Sequence, residues 1–479
     1  MAAGDTRTAP PQGVVLAVSL RGDLLLQPLQ EHRGPSGAPQ GGAAGPAVAG
    51  HPAVRRRQGG APRMSTLSTV NNNTHHPAAS TAVKPAQSAT GRRRNGEIQG
   101  YRGLAAMATV VFHVWQQYFT YDQDGSHAPV ANPYANALVS LEVIDFFFVL
   151  SAYLLTLSYA RAAIDGGSTK PARVFLFRRA IRIVPLYFLA ILFIWATRNP
   201  SLPGDWADLL RHLTFTQVFD KEQIFYTIGP TWSLSLEIMF YLALVALGPL
   251  AARACRLLRS RAARVAVCAA GCALLYIGPM VWIAVAHYGF EVPYTEWPVY
   301  FGPQARFGGF AAGMGLAVLT VALGDRGRLG PKVTIPLRVA PLVALYVLSL
   351  LSAGPEDFAT TFYHPLSAVL WTVLLFATLH VRKPGRWEAW LSARWLTAIG
   401  LASYSLFVWH EPIMLGLYEG GLLPPAGQEG FPFAVLIVLV VALAAALVSY
   451  WVIEYPASLL GRLKDAKGRS RDFYPEVAR

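Results

Sequence analysis

From about residue 103 onward, apolar runs of bilayer-spanning length alternate with polar connections, whereas residues 1 to about 98 show no apolar period. Ten such runs can be placed, at 103–120, 136–158, 182–198, 232–250, 265–286, 303–322, 337–353, 363–381, 396–418 and 431–453. This pattern predicts an all-α, polytopic membrane protein with about ten transmembrane helices. The segment before it is rich in Gly, Pro, Ala, Asn and Thr, and 1–98 is expected to be a disordered extension. Its one apolar stretch, "GVVLAVSLRGDLLLQPLQ", is interrupted by Arg21 and Asp23 and has no small-residue cleavage site after it, so it does not read as a signal peptide. Met64 opens a polar stretch, "MSTLSTVNNNTHH", and is a candidate for the true start. The membrane domain is assigned to 99–462 and a basic cytoplasmic tail to 463–479.

Composition agrees with a membrane protein: 53% of the 479 residues are hydrophobic, 14% are charged, and mean hydropathy is +0.35. The net charge of +14 would suit nucleic acid, but its distribution argues against that partner. The N-terminal flank from residue 92, the even-numbered connections and the tail, span-edge residues included, carry 29 Lys and Arg. The odd-numbered connections carry three, Arg198, Arg211 and Lys221. Such an asymmetry places both termini in the cytoplasm. Cys255, Cys268 and Cys272 have no metal-ligand spacing and read as small apolar residues. No metal site is expected.

The polar residues inside the apolar runs carry the candidate chemistry. In "RGLAAMATVVFH", Arg102 and His113 are eleven residues apart, about 20° past three helical turns and roughly 16 Å along the axis. They share one helix face, with Arg102 at the cytoplasmic edge and His113 deep in the membrane. A histidine at that depth is a functional candidate, although a packing role competes with it. Asp145, in "LEVIDFFFVLSAYLLT", is expected at a similar depth, where it could fix the tautomer of His113. Glu237 lies in "TWSLSLEIMFY", His410 and Glu411 in "SYSLFVWHEPIM", and Arg306 near the outer end of the sixth run, all expected in the outer half. Glu454 reads as an interfacial anchor. Arg178 and Arg182 stand one turn apart with Arg179 between them. They contribute to the positive-inside signal and, with Arg102, could bind phosphate. Gly309 and Gly313, four apart in "RFGGFAAGMG", read as a close-packing face. The loop segments "DWADLLRHLTF" and "HYGFEVPYTEWPVY" read as an amphipathic stretch and an interfacial aromatic belt.

Taken together, Arg102 with His113, "IDFFFVLSAYLL", "RRAIRIVPLY", "WSLSLE", "SYSLFVWHEPI" and "SYWVIEYP" resemble the membrane-bound acyltransferase 3 family of bacterial O-acyltransferases over about residues 98–462. The resemblance implies ten core helices in the bacterial plasma membrane and an acyl-CoA donor, acetyl or short-chain, bound from the cytoplasm. It also implies transfer to a hydroxyl of a glycan, lipid-linked sugar or natural product such as a macrolide. The family's essential residues carry over to Arg102 and His113, then to Arg178 and Arg182. One departure is Ala152, in "LSAYL", where many members have Gly; Ala keeps the position small, so tight packing there is expected.

In the resulting scheme Arg102, Arg178 and Arg182 hold the donor, and His113, Asp145 and Glu237 are catalytic. Arg306 and His410 bind the acceptor from an outer cavity. His113 acts either as general base or as a transient acyl carrier. The competing reading is a transporter of a lipid or glycoconjugate, which would also use intramembrane His, Asp and Glu. The sequence has no pair of broken helices in related halves to favour it.

Overall fold

The computed structural model describes residues 89–466 apart from 123–124, 170, 202 and 353–357. The N-terminal extension up to residue 88, Met64 and the tail from residue 467 lie outside the described residues. The protein is helical. Its helices are α1 (Ala89–Gln117), α2 (Pro133–Val139), α3 (Ile144–Ile164), α4 (Ala172–Arg198), α5 (Trp206–Leu213), α6 (Trp232–Arg256), α7 (Arg261–Ala284), α8 (Trp297–Phe301) and α9 (Pro303–Leu323). They continue with α10 (Pro331–Leu351), α11 (Phe358–Thr361), α12 (Tyr363–Leu379), α13 (Arg386–Leu391), α14 (Arg394–Leu401), α15 (Ser403–Glu419), α16 (Phe431–Ser449) and α17 (Tyr455–Ala466). A short antiparallel hairpin, β1 (Thr120–Asp122) with β2 (Gly125–His127), follows α1.

Among the described residues seven stretches are long and apolar enough to cross a membrane: Pro133–Ile164, Ala172–Arg198, Gly229–Arg256, Arg261–Gly289, Trp297–Leu323, Pro331–Leu351 and Phe431–Leu460. The other three expected runs correspond to α1, the shorter apolar α12, and α15 preceded by α14. Two boundaries differ from expectation. The second run is divided: α2 is a separate short helix, its N-terminus capped by Asn132, and α3 starts only at Ile144. Asp145 therefore sits in the first turn of α3.

The other difference is that α1 starts at Ala89, inside the segment expected to lack order. Tertiary packing accounts for it. A Cβ on Gly100 would lie 2.0 Å from the Leu391 carbonyl oxygen, and one on Gly400 1.9 Å from that of Gln99. The backbones of α1 and the α13–α14 segment touch at a distance only glycine permits, so α1 is supported well before the membrane is reached.

Helix α3 packs against α6, α9 and α12. The close-packing face expected on the sixth run is used here: a Cβ on Gly313 would meet the Val149 carbonyl oxygen at 2.2 Å and the Ala152 side chain at 2.8 Å. Ala152 is wholly buried, as its tight-packing position requires. Phe310 continues the contact, stacking on Phe148 at 4.5 Å and on Phe240 at 4.6 Å between ring centroids. Cys255 and Cys272 are buried among apolar neighbours, with the Cys255 sulfur 3.6 Å from that of Cys268.

Polar groups brace the helices at several points. On α5, Asp208 accepts from Thr227 and pairs with His212 at 2.9 Å, all three side chains being buried. Lys221 pairs with Glu296 and so links the 199–231 and 287–300 loops. Arg338 on α10 forms a buried ion pair with Glu388 on α13. Burial opposes the charge on Glu388, but the Gly385 N–H, its own backbone N–H and Arg338 prevail and hold its carboxyl below the usual range.

Candidate active site

Arg102 and His113 occupy α1, and α15 runs beside them. The two helices meet at two polar rungs. At the first, Arg102 Nη2 donates to Ser403 Oγ at 2.8 Å. At the second, His113 Nδ1 lies 3.2 Å from His410 Nε2, with the ring centroids 4.8 Å apart.

Hydrogen-bond partners settle the tautomers of both imidazoles. His113 Nδ1 is 2.8 Å from the Thr109 carbonyl oxygen, and His410 Nδ1 is 2.8 Å from that of Phe407. A carbonyl only accepts, so each Nδ1 carries a proton. His410 Nε2 is then an acceptor facing the His113 Nδ1–H, which it shares with Thr109. This leaves His113 Nε2 with an uncommitted lone pair. His410 is buried while His113 is partly exposed, so the open nitrogen belongs to the reachable ring.

A cavity lies between α1, α3, α4, α6 and α15. Arg102, Arg179 and Arg182 give it a cationic end. Ile144, Phe147, Phe148, Leu154 and Leu234 supply apolar wall. Glu237 faces the same space, its Oε1 accepting from Ser151 at 2.7 Å and from Tyr241 at 2.5 Å. Along α15 the lining runs through Ser403, Tyr404 and Phe407, and the Phe407 ring is 6.0 Å from that of His410. The histidine pair therefore stands one turn beyond the cavity lining, on the two helices that supply Arg102 and Ser403. Glu454 lies in a π-helical turn, accepts from the Ser405 N–H and hydroxyl, and is within electrostatic reach of Arg182 and Arg102.

Several expected assignments change. Asp145 does not orient His113. Its Oδ2 accepts from His364 Nδ1 at 2.8 Å and from Ser367 at 2.5 Å, joining α3 to α12. Arg306 is not a lining residue of the cavity; it is buried, donates to the Tyr300 carbonyl at 2.9 Å, and lies over the rings of Phe301 and Trp232 at 4.5 and 5.5 Å. His410 is likewise outside the lining and backs His113 instead. Of the basic pair on α4, Arg182 lines the cavity, but its companion there is Arg179 and not Arg178. The i, i+3 spacing of Arg179 and Arg182 was available in the sequence as an equally good shared face. Ser403 and His364 carried no comparable signal, because their importance arises from contacts between helices distant in the chain.

This arrangement can bind an anionic group at the arginines, hold an extended apolar or amide-bearing arm along the cavity, and offer a basic nitrogen beyond it. Comparison with known proteins points the same way. The acyltransferase domain of the acyltransferase 3 family matches residues 95–451. "Putative peptidoglycan O-acetyltransferase YrhL" of Bacillus subtilis is 25% identical over 342 residues, covering 66% of this chain and 50% of that protein. "Acyltransferase MdmB" of Streptomyces mycarofaciens is 33% identical over 153 residues, 30% of this chain and 37% of that one. "Putative O-acetyltransferase SACOL0978" of Staphylococcus aureus is 23% identical over 332 residues, 66% of this chain and 50% of that one. The chain thus spans half or less of the length of these relatives. No solved structure matches it. With the family domain covering most of the chain and containing both the arginine-lined cavity and the histidine pair, the chain belongs to the acyltransferase 3 family.

Proposed function

We propose that the protein is an integral O-acyltransferase of the bacterial plasma membrane that moves a short acyl group from acyl-CoA to a hydroxyl of a glycan, lipid-linked sugar or natural product. The observation that carries this reading is the joint placement of the arginine-lined cavity and the open His113 nitrogen on α1 and α15. The names of the relatives favour acetyl transfer to oxygen and, for one of them, a peptidoglycan acceptor. In this reading α1, α12 and α15 complete ten spans, and the Lys and Arg asymmetry sets both termini in the cytoplasm. The arginine end of the cavity then opens toward the cytoplasmic pool of donor.

Arg102, Arg179 and Arg182 hold the donor phosphates, and the pantetheine arm runs along the cavity toward His113. His113 Nε2 takes the proton of the acceptor hydroxyl as its oxygen attacks the thioester carbonyl. The carbon–sulfur bond breaks, and the departing CoA thiolate leaves with that proton. The imidazolium formed in between is stabilised by two acceptors on its Nδ1–H, the Thr109 carbonyl and His410 Nε2. Glu237, fixed by Ser151 and Tyr241, orients the donor between the arginines and the histidine.

The test is release of free thiol from acetyl-CoA by the purified protein in proteoliposomes, with and without a hydroxyl acceptor such as a muropeptide or an amino-sugar glycoside. Acceptor-dependent thiol release is expected. Movement of a lipid or glycoconjugate across the vesicle with no thiol released would replace this reading with transport.

A further inference from the structure

The α13–α14 segment joins α12 to α15 and packs against α1 around Arg102, yet no step above uses its outer face. Its inward side is fully committed. Glu388 is paired with Arg338, Leu391 and Leu396 are buried, and Gly400 meets the α1 backbone. The outward side carries Trp387, Trp390 and Trp395, which are 37%, 46% and 54% exposed. Trp387 is held in place by a 3.0 Å hydrogen bond from its indole to Tyr101 Oη, so its outward edge is not a stray conformation.

Charge on this face has one sign. Arg382, Lys383, Arg386 and Arg394 are all exposed, and between residues 382 and 401 the only acidic side chain is the buried Glu388. Indole rings favour the headgroup level of a bilayer, and guanidinium and ammonium groups there attract anionic headgroups. The face lies at the Arg102 end of α1, where α12 and α15 enter and leave the bundle, so lipid headgroups are its natural neighbours.

We infer that the outer face of α13–α14 is a binding surface for anionic phospholipid headgroups, with the tryptophans seated in the interface and Arg382, Lys383, Arg386 and Arg394 drawing the phosphates. A bound headgroup would brace the glycine-tight joint between α14 and α1 from outside and so steady the segment that carries Arg102. This inference does not depend on the acyl-transfer reading, because its test reads lipid contact and not turnover.

The full-length protein is reconstituted into phosphatidylcholine vesicles containing either brominated phosphatidylglycerol or brominated phosphatidylcholine. The bromines are near the headgroup and in both leaflets, so orientation does not affect the result. Comparing wild type with the Trp387→Phe, Trp390→Phe, Trp395→Phe triple variant isolates the emission of these rings. Their quenching by brominated phosphatidylglycerol should exceed that by brominated phosphatidylcholine by about threefold or more. The preference should shrink as salt is raised. It should vanish when Arg382, Lys383, Arg386 and Arg394 are all replaced by Gln, and survive when the three arginines become Lys. Equal quenching by the two lipids in wild type would reduce the face to a generic aromatic belt and overturn the inference. A preference that persists in the Gln variant would overturn it as well. If the Gln variant fails to fold, the Lys variant and the salt series still decide the question.

Discussion

The clusters around His364 and His113 differ in an instructive way. His364 lies between carboxylates, 2.8 Å from Asp145 and 3.6 Å from Glu142, and Asp145 is also bonded to Ser367. Among the described residues His113 has neutral partners, a carbonyl and a second imidazole. By residue type the Asp145–His364 pair is the more enzyme-like. Its side chains are nonetheless buried outside the cavity, where they join α3 to α12. The His113–His410 pair leaves one nitrogen open beyond the arginine-lined cavity. The proposed activity is accordingly assigned to the uncommitted atom and not to the most strongly charged pair.

Four sets of variants can break or sharpen this contrast. The largest expected effect is on stability. Asp145→Ala should cost about 3–5 kcal/mol, since removing one partner of a buried charged cluster leaves the others uncompensated. The protein should melt earlier while turnover per folded molecule stays close to wild type. Unchanged melting with lost turnover would transfer Asp145 to the reaction.

Next comes the proposed donor site. Replacing Arg179 and Arg182 together by Ala should raise the Michaelis constant for acyl-CoA roughly 10- to 100-fold, the range expected for lost hydrogen bonds to a charged group. Arg178→Ala should raise it far less, because Arg178 does not line the cavity. Steady-state kinetics on the two variants would decide between the two faces of α4.

A smaller effect is expected at His410. His410→Ala removes one of two acceptors on the His113 Nδ1–H and should slow turnover up to about tenfold, with the donor Michaelis constant nearly unchanged. No effect on turnover would mean that the Thr109 carbonyl alone fixes the ring.

The smallest effect concerns the Arg338–Glu388 pair, which does not line the cavity. The Glu388 carboxyl is held below its ordinary value of 4.5 in the folded protein. Its contribution to stability is therefore fully present above that value and is lost as pH falls through the lower, folded-state value. Melting temperature should drop on acidification below about pH 4.5, and Glu388→Gln should be less stable at neutral pH with a shallower acid dependence. An acid profile identical to wild type would remove Glu388 from the account.

Much of this arrangement was legible in the chain because helical periodicity is local. Arg102 and His113 share a face by spacing alone, and Gly309 with Gly313 announced a close contact that Val149 and Ala152 complete. What the chain did not disclose were partners brought together across the bundle. Nothing local indicates that Asp145 would meet His364 and not His113, since each is a plausible mate for a buried carboxylate. The same holds for Arg306, whose isolation in an apolar run suggested a ligand but whose guanidinium is covered by Phe301 and Trp232. The N-terminal reach of α1 was hidden for a related reason: the polar stretch before Arg102 is helical because α13 and α14 pack on it.

The central claim is that His113 Nε2 is the nitrogen that serves the transfer. The most direct measurement is acceptor-dependent thiol release from acetyl-CoA by purified His113→Ala, compared with His364→Ala, each normalised to folded, monodisperse protein. The account predicts that His113→Ala loses about a hundredfold or more in turnover with melting little changed, and that His364→Ala melts earlier but turns over near the wild-type rate per folded molecule. Wild-type turnover by His113→Ala, or a comparable loss of turnover by fully folded His364→Ala, would contradict it.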